Sequence, residues 1–154
     1  PFCLTRCGYC DFNAYSDLGH LRSRYVDALC AEADIAAPVW AGEVVDTVFL
    51  GGGTPTTLEV SDLASLLAHL RAAFDVADDA EVTIEANPDT VDHAKLAALL
   101  DVGYSRLSMG AQSFDPSVLK SLERVHSAES VLAAFGAARE VGYANINLDL
   151  IYGA

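Results

Sequence analysis

Basic residues are scarce. Lysine and arginine number 9 against 22 aspartates and glutamates, a formal net charge of −13. A surface built to hold DNA or RNA phosphates needs clustered cations, so this balance argues against nucleic acid as the main partner. It argues equally against a polybasic membrane anchor. Long apolar runs are missing too, since no stretch approaches the roughly 18 residues of a spanning helix. The opening lacks the charged-then-apolar pattern of a secretory leader. Cysteines are few and unevenly placed: of four, Cys3, Cys7 and Cys10 fall in the first ten residues, and Cys30 stands alone in a helical pattern. A disulfide scaffold spreads its cysteines over a small loop-rich chain, so this placement points to a metal or cluster site in a reducing cytoplasm. Pairing into two disulfides stays formally open.

There is enough apolar material for a core. Of 154 residues, 52% are hydrophobic and 20% charged, about one domain by length. Pro1 stands where a Met would begin a protein, and a cysteine motif follows at once. We therefore expect a fragment of a longer chain.

Periodicity alternates between strand and helix. Strands are expected over 44–50, 81–87, 106–110 and 145–151. A helix over 20–37 directs Leu21, Tyr25, Ala28, Leu29, Glu32 and Ile35 inward. Ser61 is read as the cap of a second helix with Leu63, Leu66, Leu67, Leu70 and Phe74 inward. Thr90 is read as the cap of a third, with Leu96, Leu99 and Leu100 inward and Gly103 just past its end. Asp115 and Pro116 open a fourth. Ser127 caps a fifth, with Val131, Leu132, Phe135 and Ala138 inward, ending near Gly142. Repeated βα units imply a parallel sheet with right-handed crossovers.

Strand parity adds a second clue. Thr83, Glu85 and Asn87 share one face, as do Arg106 and Ser108 with Gly110 and Gln112 beyond, and Asn145, Asn147 and Asp149. A sheet covered by helices on both faces would be apolar on both. One polar face favours a barrel or half-barrel around a polar cavity, with ligands at the strand ends.

Four features can carry chemistry. Cys3, Cys7 and Cys10 have the spacing CxxxCxxC, so their thiolates can converge on one centre. Three cysteines leave a [4Fe–4S] cluster one ligand short, and the open iron can take a small chelating molecule. Zinc is the alternative and needs a fourth ligand. Gly51, Gly52 and Gly53 follow a strand directly, and such a turn can either approach a ligand or simply link strand to helix. Glu85 ends an apolar strand before Pro88, where it can either meet a ligand cation or stand as a strand-end charge in solvent. Arg106, Ser108, Gln112, Arg124, His126 and Asp149 form a further polar set near strand ends, each alone readable as a surface or network residue and together as a joint site. Cys30, Trp40, His69, His93 and Met109 are read as packing or surface residues.

Together these stretches resemble the radical S-adenosylmethionine (SAM) superfamily, in the branch that holds oxygen-independent coproporphyrinogen III oxidases and HemW-type haem chaperones. The matching segments are residues 1–13, 51–56, 85–88, 106–114, 122–126 and 147–153, in family order. The resemblance implies an α/β fold, a partial (β/α)₆ TIM-like barrel, of which residues 1–154 are part of one core domain. Its first strand would precede Pro1 and its last part would follow Ala154. It also implies that Cys3, Cys7 and Cys10 hold a [4Fe–4S] cluster. Tyr9, Gly52, Gly53, Thr54, Glu85, Gln112, Arg124 and Asp149 would contact SAM. Asp11, Phe12 and Asn13 follow Cys10, where the oxidase carries a fourth cysteine after one residue. That difference and the Arg124-to-His126 segment lean toward the chaperone type. Implied partners are haem or a porphyrinogen, a flavodoxin- or ferredoxin-type electron donor, and respiratory haem apoproteins.

Overall fold

The computed structural model describes residues 1–153. Four strands form one parallel sheet in the order β1-β2-β3-β4: β1 (Val44–Leu50), β2 (Asp75–Ala86), β3 (Arg106–Gln112) and β4 (Asn145–Leu150). The helices are α1 (Arg22–Ala36), α2 (Val60–Ala73), α3 (His93–Val102), α4 (Pro116–Ser121) and α5 (Ala128–Val141). Strands laid down in sequence order, joined by crossovers of one hand, put every helix on the same face. Accordingly α1 packs on α2, α2 on α3, and α3 on α5. This is the wall of a barrel, not a doubly wound sheet, and it leaves the other face free. Among the described residues no helix is long and apolar enough to cross a membrane.

The helix-covered face supplies the core. Val82, Ile84, Leu107, Met109 and Ala111 alternate along β2 and β3 and are fully or almost fully buried against Leu63, Leu67, Leu96, Leu99 and Val131. Each buried Leu or Ile contributes roughly 1.5–3 kcal/mol relative to exposure. Two helices end alike: Val102-Gly103-Tyr104 after α3 and Val141-Gly142-Tyr143 after α5. Gly103 and Gly142 take φ of 113° and 108°, and the following N–H groups return to Leu99 and Ala138 carbonyls. Only glycine adopts this turn without strain. Both tyrosines are buried beneath the sheet, and burial pushes their phenols above the ordinary range.

Several expectations need correction. Ser61 is not a cap: Leu58 is pinned by Lys95 Nζ on its carbonyl at 2.9 Å, so the ladder already starts from Glu59 O. Thr90 closes a short turn (Pro88–Thr90), where its hydroxyl bonds Asn87 O at 2.7 Å. Asp92 caps α3 instead, accepting from Lys95 N at 2.8 Å. Leu132 is 61% exposed and Ala134 takes the inward place, because Leu132 lies about 100° off the stripe set by Val131 and Ala138. In α1 the buried residues are Val26 and Ala33, while Ile35 faces out. Tyr25 turns toward the N-terminal segment and meets the Phe2 ring edge-on at 5.4 Å. Strand β2 begins at Asp75, ahead of the expected start, and its extra residues sit in a break of register against Val45 and Thr47. The caps at Asp115 and Ser127 are present, accepting from Ser117 N at 2.7 Å and Ser130 N at 3.2 Å.

Candidate cluster and cofactor site

The cysteine segment is a loop tied at its base. Phe2 and Tyr15 form a parallel bridge, Cys3 N donates to Tyr15 O at 3.0 Å, and Tyr15 N donates to Pro1 O at 2.7 Å. The base is stitched to the glycine turn after β1, where Thr54 N donates to Phe2 O at 2.7 Å and Thr54 Oγ1 to Cys3 Sγ at 3.5 Å. Gly53 permits this approach, since a Cβ there would lie 2.7 Å from Phe2 O. The glycine turn therefore holds the cysteine loop, a role that the sequence reading left undecided.

The turn is also tied to β2. Gly52 N donates to Glu85 Oε2 at 3.0 Å, and a Cβ on Gly51 would press on the same carboxylate at 2.9 Å. The Gly52 and Thr54 amides and the Thr54 hydroxyl are thus engaged within the protein. Among the described residues the Gly52 and Gly53 carbonyls accept no hydrogen bond, which leaves them as acceptors. Burial, with nearby Asp149 adding to it, raises the Glu85 pKa above the usual carboxylate range, while the Gly52 amide pulls it down. Asp149 on β4 accepts from Asn147 Nδ2 at 2.7 Å and from Ser108 Oγ at 3.4 Å.

Arg124 approaches from the segment after α4. Its Nη1 donates to Cys7 Sγ at 3.4 Å, its Nη2 to Gly110 O at 2.8 Å and its Nε to His126 Nδ1 at 3.1 Å. Desolvation lowers the His126 pKa below its ordinary value, and the neighbouring Arg124 charge lowers it further. Gln112 sits where the β3–β4 register breaks, at φ 62°, and its Nε2 would lie 2.8 Å from a Cβ on Gly110. Glu123, at φ 54°, lays its carboxylate on Gly8 inside the cysteine loop. Non-glycine residues in this left-handed region store strain, and such strain gathers at functional sites.

One cavity of about 170 Å³ joins these pieces at the C-terminal ends of the strands. Cys3, Cys7, Tyr9, Cys10, Gly52, Gly53, Thr54, Glu85, Gln112, Arg124 and Asp149 all line it. Arg6, Phe12, Asn87 and Thr90 also line it and were not singled out as site residues. Asn87 carried a usable signal, because it shares the parity of Thr83 and Glu85. Arg6, which donates to Cys10 O at 3.3 Å, carried none. An apolar hollow of about 290 Å³ lies behind the glycine turn against Tyr25, Leu29, Phe49 and Leu66, without a cysteine.

The donor set suits a polynuclear cluster. Two of the three sulfurs already receive N–H or O–H donors, as thiolates in a cluster do. Among the described residues no three His, Cys, Asp or Glu side chains gather closely enough for one metal ion. A single zinc would need a fourth ligand beside the three cysteines, whereas a cluster takes its thiolates on separate irons.

Comparison with known proteins agrees in kind. The profile of the Radical SAM superfamily matches residues 1–154. The chain belongs to that superfamily. The radical SAM chain is 47% identical to the heme chaperone HemW of Mycobacterium tuberculosis (strain H37Rv) over 99% of its own length and 40% of that protein. It is 38% identical to the oxygen-independent coproporphyrinogen III oxidase of Escherichia coli K12, over 99% of this chain and 34% of the oxidase. The solved structure of the coproporphyrinogen III oxidase HemN from Escherichia coli, described as a radical SAM enzyme, superposes with a TM-score of 0.90 at 38% identity. It covers 99% of this chain and 36% of that one. The radical SAM chain thus spans about two fifths of the HemW relatives it matches.

Proposed function

We propose that this chain is part of the core domain of a haem chaperone of the HemW type. In this reading Cys3, Cys7 and Cys10 hold a [4Fe–4S] cluster, and the adjoining cavity takes SAM. The observation that carries the reading is the convergence of three cysteines, two carboxylates and two arginines on a single cavity. SAM bears an ammonium, a sulfonium and a carboxylate, so its receptor needs charges of both signs. Glu85 and the Gly52 and Gly53 carbonyls suit the ammonium. Arg124 has N–H groups to spare for the carboxylate. Gln112 and Asp149 are placed to hydrogen-bond the rest, and Tyr9 stands beside the cysteines to face the adenine. When bound, the cluster and SAM together supply the one-electron chemistry; the chain binds, orients and shields them. Haem, an electron donor of flavodoxin or ferredoxin type and respiratory apoproteins are the partners that this reading assigns to the whole protein.

The chaperone reading rests on Asp11, Phe12 and Asn13 after Cys10 and is supported by the 47% identity to the HemW of Mycobacterium tuberculosis. The second reading, a coproporphyrinogen III oxidase, is favoured by the TM-score of 0.90. The full-length protein, reconstituted anaerobically with iron and sulfide, is expected to show a reduced-cluster EPR signal that Cys7→Ala abolishes. Zinc at one equivalent with no such signal would overturn both readings. Incubation of the reconstituted, reduced protein with SAM and coproporphyrinogen III separates the two. The chaperone binds haem and makes no protoporphyrinogen, and turnover at enzymatic rates sinks it.

A further inference from the structure

Arg124 and His126 form a closed relay that ends on a cysteine. The guanidinium spends three of its five N–H donors inside the protein, on His126 Nδ1, Gly110 O and Cys7 Sγ. The far nitrogen of the imidazole, Nε2, lies 2.9 Å from Ala111 O. A carbonyl only accepts, so Nε2 carries the proton. An arginine Nε–H only donates, so Nδ1 offers its lone pair. Both neighbours impose the same neutral tautomer. The ring is only 4% exposed and cannot swing out to solvent. Two anchors, His126 at one edge and Gly110 at another, fix the plane of the guanidinium. Planarity then aims Nη1 at Cys7. A lysine has no such fork and would not be steered this way.

We propose that Arg124 is a fixed cationic donor to the Cys7 thiolate, that it raises the reduction potential of a cluster bound there, and that His126 is its positioning residue. The proposal rests on the cluster assignment above. Reduction adds negative charge to a cluster and its thiolates, so a cation within hydrogen-bond reach favours the reduced form. The contact is part-buried and therefore weakly screened by salt. Two N–H groups of Arg124 stay free for a ligand, so tuning and ligand binding do not compete.

The test is a dithionite titration of the reconstituted full-length protein, followed by EPR. Iron and sulfide content is measured first: a wild-type chain without a cluster overturns the functional reading as well, whereas an assembled cluster isolates the present one. Arg124→Met is expected to lower the reduced-to-oxidised ratio at fixed poise by about tenfold, or about 59 mV for a one-electron couple. His126→Leu should shift the potential the same way by less. His126→Asn, whose Oδ1 can accept where Nδ1 did, should restore most of it. On the Arg124→Met background, His126→Leu should add nothing, since it acts only through the arginine. A wild-type potential in Arg124→Met overturns the tuning. Equal shifts in His126→Leu and His126→Asn, or additive shifts in the double variant, overturn the positioning role. Should His126→Leu fail to fold, His126→Phe takes its place, filling the position of the ring while offering Arg124 no acceptor. An unshifted potential there has the same force.

Discussion

The two faces of one sheet divide the labour of this molecule. On the helix side Val82, Ile84, Leu107 and Met109 are completely buried. On the other side, one residue out of step, lies a polar layer: Arg106 donates to Thr83; Ser108 and Asn147 donate to Asp149; and Glu85 accepts from Gly52 N. Adjacent positions along a strand therefore answer to different physics. One set excludes water and sets stability, and the other keeps charges available at the cavity. A substitution should report on folding or on binding according to its parity.

The sharpest attack on that division is Leu107→Ala. It empties a fully buried site and should cost about 2–5 kcal/mol, lowering the thermal midpoint strongly. Calorimetry of the apo-protein would show it, and a drop below about 1 kcal/mol would break the comparison. Gly53→Ala comes next, because its Cβ meets the Phe2 backbone at 2.7 Å. It should release the cysteine loop at about 1–3 kcal/mol of strain. Limited proteolysis within residues 3–14 should accelerate while the sheet melts cooperatively.

Glu85→Gln tests the polar face with a sign. The folded-state pKa of Glu85 is raised, chiefly by burial. The fold therefore holds its proton more tightly than the unfolded chain does. That stability is present below the ordinary glutamate pKa and is lost as pH rises through the raised value. At neutral pH the glutamine variant should match or exceed the wild type, by no more than about 0.5 kcal/mol after solvent screening. Its SAM affinity should fall roughly tenfold, with the lost charge-assisted bond. A variant that is both less stable and unimpaired in binding would reverse the assignment. Smallest of all is Leu132→Ala: an exposed apolar residue on α5 should change stability by less than about 0.5 kcal/mol.

Much of the fold was legible because parity and caps are local. Alternation along 81–87, 106–112 and 145–149 showed a polar face, and the Gly103 and Gly142 turns announced helix ends. The errors came where local signals competed. Ser61 and Thr90 are both capping types, yet Lys95 reaching back to Thr56 O and Leu58 O decided where α2 begins. That contact joins distant positions, and no periodicity records it. The site follows the same rule. The cysteine spacing and the glycine turn were visible as words in the sequence. Arg124 on Cys7, a contact across 117 positions, was visible only in space.

That last contact sets an order of events. Strands that pair in sequence order bring mostly neighbouring segments together, and such a sheet can grow as the chain emerges from synthesis. The cysteine loop is made before strands β1 to β4 and is completed only after several of them. Its base must wait for the glycine turn, and Cys7 gains its cation only after β3 and α4 have followed. A cluster held against that cation thus marks a wall already built through β3, set where an earlier and a later part of the chain meet.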